Sequence, residues 1–298
     1  MGWGGGSAPR GRTFRPGGGR IFHPIDTTTC FHHRDRTTGR SCTRCGRPAC
    51  ADCLHDAAVG AHCWECIRAA RPPARERVRR WNAAAGSLVT RAIIAVNVGV
   101  FMLTALTGGA MGRGGNLQLR LTLFAPAVRA GEWYRLITSG FVHFGLLHIA
   151  FNMLILYRFG TNLEPALGRA RMLALYLSAL LTGSFGVMLM EPNGVTAGAS
   201  GAVFGLVGAA AVGLRMRRIN VWQSGIGPLL AINLFFTFAI PGISIGGHVG
   251  GLIGGALVGA VMLRPSREPR PISEGLIFAF AVSVIAFTGA LWAAGRPV

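Results

Sequence analysis

From Leu88 onward the chain is mostly apolar, and short polar breaks divide it into seven runs: 88–106, 144–159, 172–189, 200–214, 226–240, 245–263 and 275–293. Each run predicts a helix in a bilayer, where a straight span needs ~20 apolar residues. Several of the seven are shorter than that or carry polar residues. The expected fold class is therefore an all-α polytopic membrane protein.

The chain before these runs divides in three. Residues 1–29 are rich in Gly and Arg and lack an apolar core, so they read as a disordered tail and not as a secretory signal. Residues 30–67 hold all seven cysteines and form a Cys/His module. Residues 68–87 are an Arg-rich juxtamembrane linker containing Pro72-Pro73. The membrane domain is then 88–298.

Charge sharpens this division. The chain is 51% hydrophobic yet carries a formal charge of +19, a poor match for one soluble domain but a good one for an apolar block flanked by basic segments. There is no lysine, so all 30 basic residues are arginines. They cluster beside the apolar runs, which indicates membrane topology and not a nucleic-acid footprint. With the N-terminus in the cytoplasm, Arg158, Arg169 and Arg171 lie inside, as do Arg215, Arg217, Arg218, Arg264, Arg267 and Arg270. The outer turns around Pro192 and Pro241 carry no arginine. This is the positive-inside pattern of a multi-pass cell-membrane protein. The first outer loop, 107–141, breaks it with Arg113, Arg120, Arg129 and Arg135.

Three polar clusters interrupt the apolar runs: His143, His148 and Asn152 in "HFGLLHIAFN", Ser200 in "TAGASGAVFG", and His248 in "GGHVGG". Each sits at the outer end of a run crossing from outside to inside, so all three share one depth. The fourth run has only about fifteen residues between Ser200 and the arginines at its inner end. Against ~20 for a full span, Ser200 lies roughly 7–8 Å below the outer surface. Residues 195–198 must then dip into the membrane, which is tolerated only beside protein or a wet cavity. Small residues recur every fourth position as Gly201, Gly205, Ala209 and Gly213, and again as Gly247, Gly251, Gly255 and Gly259. Two such ridges permit close backbone contact, and packing one on the other brings Ser200 beside His248. A serine with a neutral histidine as base is a candidate nucleophile. His148 and Asn152, four residues apart on one helix face, are candidate donors to an oxyanion, together with free backbone N–H groups at the start of the fourth helix. His143 reads as a loop or support residue, and Glu164 as a loop or helix-end contact and not an acid catalyst.

These motifs resemble the rhomboid intramembrane serine proteases. "GEWYRLITSGFVHFGLLHIAFNML", "GASGAVFG" and "GGHVGGLIGG" occur in order across residues 88–263. The resemblance implies a six-helix bundle, here with a seventh C-terminal helix. It also implies a Ser–His dyad, Ser200 and His248, without an acidic third member, and an oxyanion site around His148 and Asn152. Trp133-Tyr134-Arg135 is similar to a structural element of the family's first outer loop. The family often stacks a tyrosine on the histidine four residues after the serine; this chain has Phe204, which keeps the ring.

The cysteines pair at two-residue spacing: Cys30 with His33, Cys42 with Cys45, Cys50 with Cys53, and Cys63 with Cys66. Eight ligands are enough for two tetrahedral zinc ions. The favoured arrangement interleaves Cys30, His33, Cys50 and Cys53 on one ion and Cys42, Cys45, Cys63 and Cys66 on the other, and resembles a small cross-braced B-box or RING-like domain. Sequential pairing stays open, and His32, His55 and His62 are spare candidates. An odd, clustered set of thiols argues against a disulfide framework and suits a reducing cytoplasm. Four protein ligands close each site, so both ions are structural and no cofactor for catalysis is implied.

Three functions compete. The first is a serine endopeptidase that cuts transmembrane segments of other proteins. The second is a non-catalytic membrane adaptor that binds helices through the bundle and a cytoplasmic partner through the zinc module. A binding scaffold needs neither Ser200 nor His248, which favours the first. A transporter would want internal repeats, and none is evident.

Overall fold

A computed structural model describes residues 28–57, 59–70, 86–109, 115–266 and 271–296. Most of the tail, residues 71–85 of the linker, and Arg113, Arg267 and Arg270 lie outside the described residues. The chain divides into two compact units, Met1–Ala74 and Arg75–Val298.

The first unit contains two short antiparallel hairpins. Strands β1 (Thr28–Thr29) and β2 (Thr37–Thr38) pair Thr28 with Thr38. Strands β3 (Leu54–Asp56) and β4 (Ala61–Cys63) pair Leu54 with Cys63. Helix α1, Trp64–Ala70, follows directly. Among the described residues, the buried apolar cluster is Cys30, Ala49, Cys50 and Cys53, with Phe31 and Leu54 packed against it, and Cys42 and Cys63 are buried as well. So small an apolar core cannot hold a domain of this size without a further constraint.

The described residues of the second unit form helices joined by loops, with one isolated bridge between Leu123 and Thr196. After α2 (Leu88–Thr104) come the short helices α3 (Asn116–Leu121), α4 (Ala125–Arg129) and α5 (Arg135–Thr138), and then the longer α6 (Leu146–Leu167), α7 (Arg169–Met190), α8 (Ser200–Met216), α9 (Ile226–Ala239), α10 (Ile245–Met262) and α11 (Ile272–Ala294). A helix thus stands in each of the seven apolar runs. The segments containing α2, α7, α10 and α11 are long and apolar enough to cross a membrane. Helix α6 passes the same test together with Arg135–Phe141, from which it is bent by 94°. Helices α8 and α9 are shorter.

The reason α8 is short lies just before it. Residues 191–199 form no helix until the last turns into α8. Thr196 exchanges backbone hydrogen bonds with Leu123, at 2.9 and 2.8 Å, and the Gly198 N–H donates to the Ser139 carbonyl at 2.9 Å. The irregular backbone is therefore satisfied by protein, as an apolar environment demands.

Glycine fixes the centre of the bundle. A Cβ on Gly251 would lie 2.0 Å from the Gly201 carbonyl oxygen, and one on Gly255 would lie 2.2 Å from that of Gly205. On the other side of α10, a Cβ on Gly246 would lie 2.3 Å from the Gly186 carbonyl oxygen. Helix α10 is thus held between α7 and α8 at backbone contact. Helix α11 lies along α7, where the hydroxyls of Ser178 and Ser283 are 2.9 Å apart.

Three polar anchors complete the frame. Buried Glu164 accepts from Val89 N (2.9 Å), Thr90 N (2.8 Å) and Thr90 Oγ1 (2.7 Å), so its carboxylate caps α2. Arg135 pairs with Glu132 and donates to the carbonyls of Leu119 (2.6 Å) and Thr122 (2.8 Å). Arg129 donates to the carbonyl of Ala294 at the end of α11, at 2.9 Å. Two of the arginines that break the charge pattern in the first loop are therefore fold-forming hydrogen-bond donors.

Candidate active site and metal centres

Ser200 is the first residue of α8, and His248 lies in the first turn of α10. Both line one cavity of about 450 Å³ together with His148, Asn152, Gly198 and Ser244. The packed glycine ridges bring the two helix starts together. Phe204, one turn after Ser200 on the same face of α8, stacks on the His248 ring with centroids 4.2 Å apart and planes 18° apart. That contact sets the plane of the imidazole at the cavity wall. At its far side, His248 Nδ1 is 2.7 Å from the Thr237 hydroxyl of α9.

His148 and Asn152 reach the cavity from α6. The Asn152 amide donates to the His148 carbonyl at 2.9 Å. His148 Nδ1 accepts from Phe144 N at 3.4 Å. The ring passes so close to the loop that a Cβ on Gly198 would sit 2.8 Å from His148 Nε2, and Gly198 has φ +135°. Only glycine serves there, for both reasons.

His143 is fully buried and edge-on to His148, with ring centroids 5.0 Å apart. Its Nε2 accepts from Ala199 N at 3.4 Å, and its carbonyl takes the Gln118 side chain at 3.0 Å. It braces the residue before Ser200 and does not line the cavity. Glu164 is likewise absent from the cavity, because its carboxylate is spent on α2. Thr237 is the site neighbour that sequence reasoning missed. Nothing in the spacing separates it from other helix threonines.

In the first unit the structure gathers two sets, Cys30, His33, Cys50 and Cys53, and Cys42, Cys45, Cys63 and Cys66. Within each set the ligand atoms lie within 4.8 Å of one another, and all seven cysteines are free thiols. His32, His55 and His62 belong to neither set. Ligands ~2.0–2.3 Å from a tetrahedral zinc ion stand about 3.5–3.8 Å apart. The Cys45 and Cys63 sulfurs are 3.8 Å apart, and His33 Nδ1 is 3.4 and 3.3 Å from the sulfurs of Cys50 and Cys53. The donor sets fit such an ion in number, type and spacing. Their electrostatics also call for one. Burial and the neighbouring sulfurs push Cys53 and Cys66 up to about 12. Burial also raises Cys30 and Cys42, but backbone N–H donors outweigh it and bring both down to about 6. Without a cation, each cluster cannot ionise all its thiols at once.

A polytopic helical membrane protein with a serine, two histidines and an asparagine around one internal cavity is the class these observations define. Residues 130–265 match the Rhomboid domain family. The chain is 35% identical over 205 residues to Rhomboid protease GluP of Bacillus subtilis, covering 66% of this chain and 39% of that protein. It is 37% identical over 133 residues to Putative rhomboid protease YdcA of the same organism, covering 43% of this chain and 67% of that protein. RHOMBOID-like protein 5 of Arabidopsis thaliana is 44% identical over 84 residues, 28% of this chain and 27% of that protein. The chain belongs to the rhomboid family.

Proposed function

We propose that this protein is an intramembrane serine endopeptidase, with Ser200 as nucleophile and His248 as base. The observation that carries the reading is the stacking of His248 on Phe204, which presents the imidazole to the cavity Ser200 faces. Substrates are transmembrane segments of other proteins. A helix protects its peptide bonds by its own hydrogen bonding, so the cut should fall where Gly, Pro or other small residues let it unwind.

In the reaction, Ser200 Oγ attacks the scissile carbonyl carbon while its proton passes to His248 Nε2. The carbonyl oxygen becomes an oxyanion, facing donors from Asn152, His148 and the first backbone N–H groups of α8. Collapse breaks the C–N bond, and the imidazolium returns its proton to the leaving amine. Water then repeats the cycle on the acyl-serine: its proton goes to Nε2 and back to Ser200, releasing the acid. No acidic third member is required. Native membranes carrying Ser200→Ala should lack protein fragments that wild-type membranes release. Identical fragment patterns would remove the assignment.

Asn152→Ala should lower kcat more than it changes KM, because an oxyanion donor acts mainly in the transition state. Loss of one such donor is worth about 3 kcal/mol, and neighbouring donors here reduce that. Steady-state kinetics on a model transmembrane substrate reads the split; a change confined to KM removes Asn152 from this role.

The orientation we propose places the N-terminus in the cytoplasm. Exposed Arg215, Arg217 and Arg218 close the C-terminal end of α8, opposite Ser200. On the cytoplasmic side of this proposed topology the Cys/His unit binds two structural zinc ions, one per cluster, and engages a cytoplasmic partner. Metal binding supplies folding free energy to a unit whose apolar core is this small. Metal analysis of the full chain should give two zinc ions, and Cys45→Ala should remove one and leave the other. A full chain without metal would overturn the assignment.

A further inference from the structure

Helix α9 is lightly packed. Of its 14 residues only Gly227 and Thr237 are buried, while Phe235 and Phe238 are well exposed. The one buried side chain therefore stands out, and its hydroxyl makes two short contacts. Thr237 Oγ1 lies 2.7 Å from the Asn233 carbonyl oxygen and 2.7 Å from His248 Nδ1.

The chemistry of those partners fixes the protons. A hydroxyl has one hydrogen, and a carbonyl oxygen can only accept. The Thr237 hydrogen therefore goes to Asn233. The contact with His248 then needs its hydrogen from the ring, so Nδ1–H donates to Thr237 Oγ1. Turning the hydroxyl toward the ring instead would leave two oxygens facing each other at 2.7 Å with no hydrogen between them. A neutral imidazole carries one N–H. With that proton on Nδ1, the lone pair is on Nε2, the nitrogen required to accept from Ser200.

We infer that Thr237 is a positioning residue that holds His248 in the Nδ1–H tautomer, with Nε2 unprotonated toward Ser200. This rests on the Ser200–His248 reading above. In serine triads, a buried aspartate sets the tautomer and orientation of the histidine; here a hydroxyl anchored on a helix carbonyl does so without a charge. The bond also gains strength during the reaction. When His248 takes the serine proton it becomes a cation, and its Nδ1–H···O bond becomes charge-assisted. The benefit therefore falls on the transition state and is read in kcat. Phe204 fixes the plane of the ring, and Thr237 fixes which nitrogen faces the nucleophile.

The test uses the full chain in proteoliposomes with a transmembrane substrate and compares wild type, Thr237→Val, Thr237→Ser and Ser200→Ala. Valine keeps the volume and removes the hydroxyl; serine keeps the hydroxyl. Expected is a fall in kcat of about 10- to 100-fold for Thr237→Val with KM unchanged, the scale of a hydrogen bond to a charged group. Thr237→Ser should restore most of it. The rate of Ser200 labelling by a fluorophosphonate should fall with kcat. Ring-15N-labelled histidine, assigned by difference against His248→Ala, should show His248 as the Nδ1–H tautomer in wild type. An Nε2–H tautomer in wild type overturns the inference, even if Thr237→Val does not fold. So do wild-type kcat in Thr237→Val, or equal loss in the Val and Ser variants. Cleavage that survives Ser200→Ala would sink the dyad instead, and the 15N measurement would still decide the tautomer.

Discussion

Ser200→Ala should abolish cleavage, His248→Ala should come close to abolishing it, and the double variant should be barely worse than either. A nucleophile and its base act as one unit: without the base the serine keeps its proton, and without the serine the base has nothing to activate. Each single change therefore removes nearly the whole covalent route, a drop of about 10⁴-fold or more in kcat. What survives is the contribution of substrate binding and oxyanion donors, which both variants retain. Neither change should unfold the bundle. Ser200 heads α8 and is half-buried, and the contacts that join α8 to α10 run through glycine backbones below it. Steady-state cleavage beside a thermal melt reads both quantities. Losses that add in the double variant would mean the two residues act independently, and the dyad would fall.

Fold class was readable in the sequence because lipid imposes one length scale and one hydrogen-bonding rule on every spanning segment. The shortness of the fourth helix was readable too: the run from Ser200 to the arginines at Arg215, Arg217 and Arg218 matches α8, which spans Ser200–Met216. Periodicity is silent about polar side chains that satisfy backbone far away in the chain. Arg135 looked like a breach of the charge pattern; in space it holds the carbonyls of Leu119 and Thr122. Glu164 looked like a helix-end residue, and it is one, but the helix it caps begins 76 positions earlier at Leu88. Thr237 was invisible because its partner His248 lies on the next helix, across a turn whose geometry no local pattern encodes. Spacing in the cysteine module suggested four pairs and favoured interleaved sharing but left sequential sharing open, because that choice depends on which loops fold back together. The structure brings together the interleaved sets.

Gly251→Leu should cost the protein both its stability and its activity, and the smaller change Gly255→Ala should already cost much of each. The reason is the kind of atom in the way. A Cβ on Gly251 would meet the Gly201 carbonyl oxygen at 2.0 Å, and one on Gly255 would meet the Gly205 carbonyl oxygen at 2.2 Å and its Cα at 2.3 Å. A crowded side chain can rotate away, but a helix backbone cannot, so α8 and α10 must move apart. Overpacking that side chains can absorb costs about 1–3 kcal/mol, and a backbone clash between two central helices should reach or exceed the top of that range. Lipid offers no compensating burial, since helix association in a bilayer depends on close packing itself. Separation of α8 from α10 also draws Ser200 away from His248, so activity should fall even in molecules that remain folded. Gly99→Ala is the control: it lies in exposed α2 with nothing within 4 Å of the added carbon, and should leave melting and cleavage at wild-type values. If Gly251→Leu and Gly255→Ala melt and cleave as Gly99→Ala does, the glycine ridges do not place the serine.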